Sequence, residues 1–317
     1  NNLGVALQER GDLEAAIASY NNALKLKPNH PEAHNNLANA LKARGNIKEA
    51  ITSYGAALRL RPNYPEAHIN LGTAHQAKGH LSEAFACYRA ALQLQPDNPE
   101  AHLNLSLAML LSGDYKNGWE GYKWRNNVRG NQSRPHALPS CTLWNGDPLE
   151  DETKLLLVTE QGLGDILQFM RYALVLRCQN LKVSLCAQTR LHPLIQSSGI
   201  DPSPLTPEQA NQVKKGKWAP LLSVPRLLEV SPSNPIINKP YIKSSAELTK
   251  KWRDIISAKS KPTVGINWRG NCSDPRKQGR NIPIHTFRKI NEAFTGNLLC
   301  LQRDAHPSEI NEMIYNQ

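Results

Sequence analysis

No stretch of about 18 consecutive apolar residues occurs in the 317-residue chain, so no membrane-spanning helix is expected. Cysteine is sparse and scattered: Cys87, Cys141, Cys178, Cys186, Cys272 and Cys300 form neither a CxxC pair nor a short-spaced framework. They read as reduced thiols and suggest a cytoplasmic setting. The phosphate-cradling pattern GxxxxGK[ST] is missing, which removes one class of nucleotide site. A zinc pair is also not expected. The stretch HPEAH at 30–34 offers two histidines, but His30 is replaced by Tyr64 and Asn98 in the units that follow, and Glu32 is misplaced for HExxH. Recognised nucleic-acid modules and aromatic-basic interleaving are lacking, so nucleic acid is not an expected partner.

What is present is enough apolar material for two or three cores, since 40% of the residues are hydrophobic. The formal charge of +11 is uneven. Residues 1–125 hold 13 Lys and Arg against 11 Asp and Glu, whereas 126–317 hold 25 against 16. The excess in the second part favours an anionic partner there, a nucleotide diphosphate, a phosphorylated glycan or a nucleic acid, among which charge alone does not choose.

The chain aligns on itself with a period of 34. Leu3, Leu37, Leu71 and Leu105 fall in register, as do Ala6, Ala40, Ala74 and Ala108. Gly11, Gly45, Gly79 and Gly113 mark tight turns between paired helices, and Tyr20, Tyr54, Tyr88 and Tyr122 fill each second helix. The small residues Ala16, Ala50, Ala84 and Gly118 let the helices approach, and Pro28, Pro62 and Pro96 close the units because proline cannot continue a helix interior. Over roughly residues 1–125 the chain resembles the tetratricopeptide family. It starts partway into such a repeat, at Asn1, and reads as cut at its front. His34, His68 and His102 recur as a helix-packing position. The fourth unit drifts to GDYKNGWEGYKWRN with no closing proline, which predicts a junction whose aromatics pack on the next domain.

A polar position recurs as well. Asn2, Asn36, Asn70 and Asn104 precede the first-helix leucines, on the helix that lines the inner side of such solenoids. These amides can donate to and accept from the backbone of an extended peptide. The other reading is that they cap helices or face solvent.

After a polar, proline-containing linker at 126–143, strands alternate with helices. Lys154 to Val158 reads as a buried strand, Asp165 to about Cys178 as a helix, Val183 to Ala187 as a second strand, and Arg190 to Gln196 as a short helix. The alternation predicts an α/β domain with a doubly wound, Rossmann-like parallel sheet over 144–260. Ligands of such sheets bind beyond the carboxyl ends of the strands, where EQGLGDILQF, residues 160–169, begins. The dinucleotide fingerprint fails, because Leu167 stands where a third glycine belongs. What remains is a glycine turn, Gly162 and Gly164, that delivers Asp165 to a helix start. An acid there is favourable in the helix dipole whether or not it has a further role.

EQGLGDILQFMRY, with LW at 143–144, resembles the first domain of heptosyltransferase-like glycosyltransferases of the two-domain GT-B type. Bacterial proteins that fuse tetratricopeptide repeats to such a domain share the longer string. The resemblance implies that Asp165 is a general base, taking the proton of an acceptor hydroxyl. It further implies a nucleotide-sugar co-substrate, no metal and no other cofactor. KPTVGINWRGNCSDPRKQGRNIP, 261–283, resembles the entry to the donor-side domain of the same enzymes, with strands expected at Thr263 to Asn267 and Leu298 to Leu301. The resemblance makes Gly162, Gly164, Arg269, Arg276 and Arg280 candidates for donor and phosphate binding, with Arg280 matching the family's position best, and a guanidinium fork matches diphosphate oxygens. The other reading for each arginine is a solvated surface side chain. Residues 261–317 would then be an incomplete second Rossmann-like half, unable to turn over alone.

The expected layout is thus a tetratricopeptide solenoid (1–125), a linker (126–143), an acceptor-side domain (144–260) and the start of a donor-side domain (261–317), related in layout to O-linked N-acetylglucosamine transferases. The expected activity is transfer of a sugar to a protein or glycan acceptor held by the repeats. The alternative is a non-catalytic scaffold in which the repeats bind a partner and the transferase domain is degenerate.

Overall fold

The computed structural model describes residues 1–128, 134–150, 152–160, 162–235, 240–257, 261–267, 294–301 and 306–308. The chain divides into two compact units, Asn1–Lys243 and Ser244–Gln317.

The first unit opens with four antiparallel helix pairs. They are α1 (Asn2–Glu9) with α2 (Leu13–Leu26), α3 (Pro31–Arg44) with α4 (Ile47–Leu60), α5 (Pro65–Ala77) with α6 (Leu81–Leu94), and α7 (Pro99–Ser112) with α8 (Tyr115–Gly121). Proline opens α3, α5 and α7, where its missing N–H costs nothing. The turns within the pairs depend on Gly11, Gly45, Gly79 and Gly113, whose φ values of 84, 96, 75 and 90° are left-handed. Tyr20, Tyr54 and Tyr88 are 1%, 0% and 0% exposed, so each ring is core to its own repeat.

The recurring histidines have a more specific role than helix packing. Nε2 of His34, His68 and His102 lies 3.0, 2.9 and 2.7 Å from the carbonyl of Pro28, Pro62 and Pro96 respectively. Each histidine therefore brackets the loop between one repeat and the next.

A four-stranded, all-parallel sheet follows in the same unit: β1 (Thr142–Leu143), β2 (Lys154–Val158), β3 (Lys182–Cys186) and β4 (Lys217–Pro220), in spatial order β1-β4-β2-β3. Residues of β2 alternate between two apolar layers. Leu155 and Leu157 join the core that contains Ile166, Met170 and Leu185, while Leu156 and Val158 pack with Ala137, Cys186 and Ala210. That two-sided burial is why KLLLV is uninterrupted by polar residues.

The crossover from β2 to β3 begins at Leu163 rather than Asp165 and is split at Met170 into α9 (Leu163–Phe169) and α10 (Arg171–Cys178). The expected short helix after β3 is a 3-10 turn, Thr189–Leu191, followed by α11 (His192–Ser197). Next come α12 (Pro207–Asn211), β4, a 3-10 turn at Leu221–Ser223 and α13 (Val224–Leu227). Part of the stretch read as linker is held in place: the His136 N–H donates to the Thr159 carbonyl at 2.9 Å and the Ser140 N–H to the Val213 carbonyl at 3.1 Å.

The second unit contains α14 (Ala246–Ser257), which the sequence assigned to the first sheet domain, and a parallel pair, β5 (Thr263–Ile266) with β6 (Asn297–Cys300). Both strands sit within one residue of their expected places. Among the described residues no helix is long and apolar enough to cross a membrane.

Candidate functional site

Two places carry the residues singled out by sequence. The first is the inner face of the solenoid. First helices of successive repeats touch one another, α3 with α5 and α5 with α7, which puts them on the inside of the curve. Asn36 Nδ2 donates to Asn1 Oδ1 at 3.0 Å, and Asn70 Nδ2 donates to Asn35 Oδ1 at 3.2 Å. Both bonds cross from one repeat to the previous one. These amides therefore spend a donor on holding repeats together, a role the sequence had not separated from peptide contact. Asn36, Asn70 and Asn104 are half-buried and Asn2 is exposed.

The second place is the carboxyl end of β2. Gly162 has φ 79°, and a Cβ there would stand 2.5 Å from Asp165 Oδ2. The carboxylate thus folds back toward the glycine Cα, and the left-handed φ makes any other residue strained there. Gly164 has open space where its side chain would be, so no neighbour requires glycine there. Asp165 is exposed, yet partial burial of its carboxyl pushes it above the usual carboxylate range.

The structure adds two residues to this end of the sheet. Glu160, which opens the loop and which sequence alone does not mark, is 0% exposed and Arg125 is 2% exposed. Arg125 Nε donates to Glu160 Oε1 and Nη2 to Oε2, both at 3.0 Å. Nη2 also donates to Ser223 Oγ at 2.9 Å, Nη1 to the Tyr122 carbonyl at 3.2 Å, and the guanidinium lies 4.8 Å from the Tyr122 ring centroid. Glu160 Oε2 further accepts the Leu222 N–H at 2.9 Å. Burial pushes the Glu160 carboxyl upward, and Arg125 with the Leu222 N–H pulls it back.

Arg125 belongs to the 3-10 turn Tyr122–Asn127 that ends the repeats, Glu160 lies two residues beyond β2, and Leu222 lies in the 3-10 turn that follows β4. The pair therefore occupies the gap beyond β2 and β4, where the strand order reverses.

Aromatics of the fourth repeat complete the junction, as their departure from the repeat register predicted. Trp119 stands edge-on to Phe169 of α9 at 6.3 Å and donates through Nε1 to the Val230 carbonyl at 3.0 Å. Arg226 Nη1 reaches Glu120 at 3.4 Å.

Arg269, Arg276 and Arg280 lie outside the described residues. His30 is engaged by Glu32 at 2.9 Å, and among the described residues no cluster of His, Cys, Asp or Glu could hold a metal ion.

Removing one member of a buried ion pair strands the other, at a cost of about 3–5 kcal/mol. Glu160→Leu is expected to lose stability on that scale in urea unfolding. The double variant Arg125→Met, Glu160→Leu is expected to lose less than the two single variants summed, because the pair is then absent rather than broken.

Comparison with known proteins concerns the helical part. The family description TPR repeat matches residues 4–43, 38–79 and 76–113. A search of curated protein sequences gave no match. Among solved structures, MamA 41-end from Desulfovibrio magneticus RS-1 is 25% identical over 38% of this chain and 69% of its own, with a TM-score of 0.37. TTC0263, a thermophilic TPR protein in Thermus thermophilus, is 24% identical over 40% of this chain and 72% of its own, with a TM-score of 0.37. The first TPR of Spaghetti (RPAP3), bound to HSP90 peptide SRMEEVD, is 26% identical over 35% of this chain and 88% of its own, with a TM-score of 0.35. Residues 4–113 of the present chain are tetratricopeptide repeats.

Proposed function

We propose that the solenoid holds an extended polypeptide along its inner face and presents it to the sheet domain. The observation that carries this reading is the row Asn36, Asn70 and Asn104, half-buried on first helices that line the inside of the curve. Asn36 and Asn70 are fixed in orientation by their bonds across repeats. A fixed amide carbonyl can accept a peptide N–H without the entropy cost of ordering a free side chain.

Replacing Asn36, Asn70 and Asn104 together by Ala is expected to weaken an uncharged, extended Ser/Thr/Ala peptide by about 1 kcal/mol per lost hydrogen bond. Fluorescence anisotropy with the labelled peptide measures this. The variant is also expected to lose solenoid stability, since two bonds between repeats go with the amides. Unchanged peptide affinity would remove the inner face from the reading.

For the sheet domain we infer transfer of a sugar from a nucleotide-sugar donor, in the acceptor-side half of a GT-B-type glycosyltransferase. Support comes from Asp165: its carboxyl lies against the Gly162 turn, is partly desolvated, and stands beyond the sheet's carboxyl edge. In the reaction this carboxylate takes the acceptor hydroxyl proton as the oxygen attacks the anomeric carbon, and the nucleoside diphosphate leaves. The open space at Gly164 lets substrate approach the start of α9. Arg269, Arg276 and Arg280 supply cations for the diphosphate in the same reading.

A base works only when ionised, so turnover falls as pH drops through its pKa. The upward shift of Asp165 places that limb above the ordinary aspartate range. In a preparation with measurable transfer, Asp165→Asn is expected to lower kcat by about 10²–10⁴ and to lose the acidic limb, with donor KM almost unchanged. Near-normal kcat would leave Asp165 as a helix-start charge and the sheet domain as scaffold.

A further inference from the structure

The three best-formed repeats share a tyrosine, but one uses it differently. Tyr20 OH donates to Gln8 Oε1 at 3.1 Å and Tyr88 OH to Gln76 Oε1 at 2.8 Å. In the repeat register, the residue between Gln8 and Gln76 is Lys42. There Tyr54 OH donates instead to Asn39 Oδ1 at 2.6 Å.

The cause lies four residues earlier. A Cβ at Gly4 or Gly72 would come within 2.5 Å of the ring of Tyr20 or Tyr88, so those rings lie directly over glycine. Ala38 carries that methyl in the second repeat, and Tyr54 cannot lie in the same place.

Lys42, with no tyrosine hydroxyl to meet, turns across the inner face. Its Nζ donates to Thr73 Oγ1 of α5 at 2.9 Å and stands 5.9 Å from the Tyr54 ring centroid. Thr73 Oγ1 in turn donates to the backbone carbonyl of Asn70 at 2.8 Å, so the hydroxyl that meets the ammonium is itself fixed within α5. Among the described residues no carboxylate lies within 4.0 Å of Lys42, and Glu100 acts on it only through space. Desolvation lowers its pKa accordingly. An ammonium has three donors, and one neutral hydroxyl with one aromatic face replaces only part of its hydration.

We propose that Lys42 makes the solenoid selective for a carboxylate side chain, Asp or Glu, on a polypeptide lying along the inner face at the second and third repeats. The selectivity rests on the peptide-binding reading of that face. The incoming carboxylate accepts from the unused ammonium donors, forming a charge-assisted bond in a partly water-excluded groove. Asn36 and Asn70, on first helices of the same two repeats, read backbone, and Lys42 sets register.

The test uses two labelled Ser/Thr/Ala peptides that differ only in a central Glu or Gln, titrated into the chain by fluorescence anisotropy. The Glu peptide is expected to bind about tenfold tighter than the Gln peptide. Lys42→Gln, which restores the residue of the first and third repeats, is expected to equalise the two by weakening the Glu peptide alone. Lys42→Arg is expected to keep the preference, and raised salt to shrink it. Equal binding to the unaltered chain, or a preference that survives in Lys42→Gln, overturns the role of Lys42 and leaves the peptide-binding reading standing. Failure of both peptides to bind overturns that reading and this one together.

Discussion

The buried pair of Arg125 and Glu160 is the constraint on which the first unit depends. A carboxylate at 0% exposure and a guanidinium at 2% are tolerable only because each is met by several partners. Those partners come from three separated stretches: the end of the repeats, the end of β2 and the turn after β4. Displacing any of them leaves a charge in a dry interior. The last turn of the solenoid is thereby part of the sheet's own structure, and the compact unit runs unbroken from Asn1 to Lys243. The same pair fills the gap where strand order reverses, at the end of the sheet that also carries Asp165.

The solenoid was legible in the sequence because its packing is periodic. Each buried tyrosine, each left-handed glycine and each opening proline repeats every 34 residues, and any one unit confirms the others. The histidines were visible as a period but not as brackets, since their partner is a backbone carbonyl that sequence does not display. In the sheet, β2 stood out because two-sided burial forces an apolar run. β1 and β4 did not: β1 is two residues long, and β4 reads KWAP, with a lysine and a proline in four residues. The role of Glu160 was not legible either. An acid at a strand end looks the same whether it meets solvent or an arginine 35 residues away.

Departures from the repeat pattern mark what the solenoid does beyond stacking. Gly118 and Trp119 break register where the helices must meet the sheet domain, and a Cβ at Gly118 would stand 2.7 Å from Leu110. Ala38 breaks register in the second repeat, displacing Tyr54 and releasing Lys42 across the groove. One methyl group thus separates a structural hydrogen bond from an available cation. Regular positions hold the scaffold, and irregular ones give it a direction and a charge.

Native-state hydrogen exchange reads the coupling of solenoid to sheet through the buried pair directly. If the pair joins them, amides of α8 and of β2 and β4 open with the same free energy, and Arg125→Met separates them, lowering protection in α8 first. The opposite result would be α8 amides that already exchange through a cheaper opening than β2 in the unaltered chain, with β2 protection indifferent to Arg125→Met. That would show two independent neighbours rather than one folded unit.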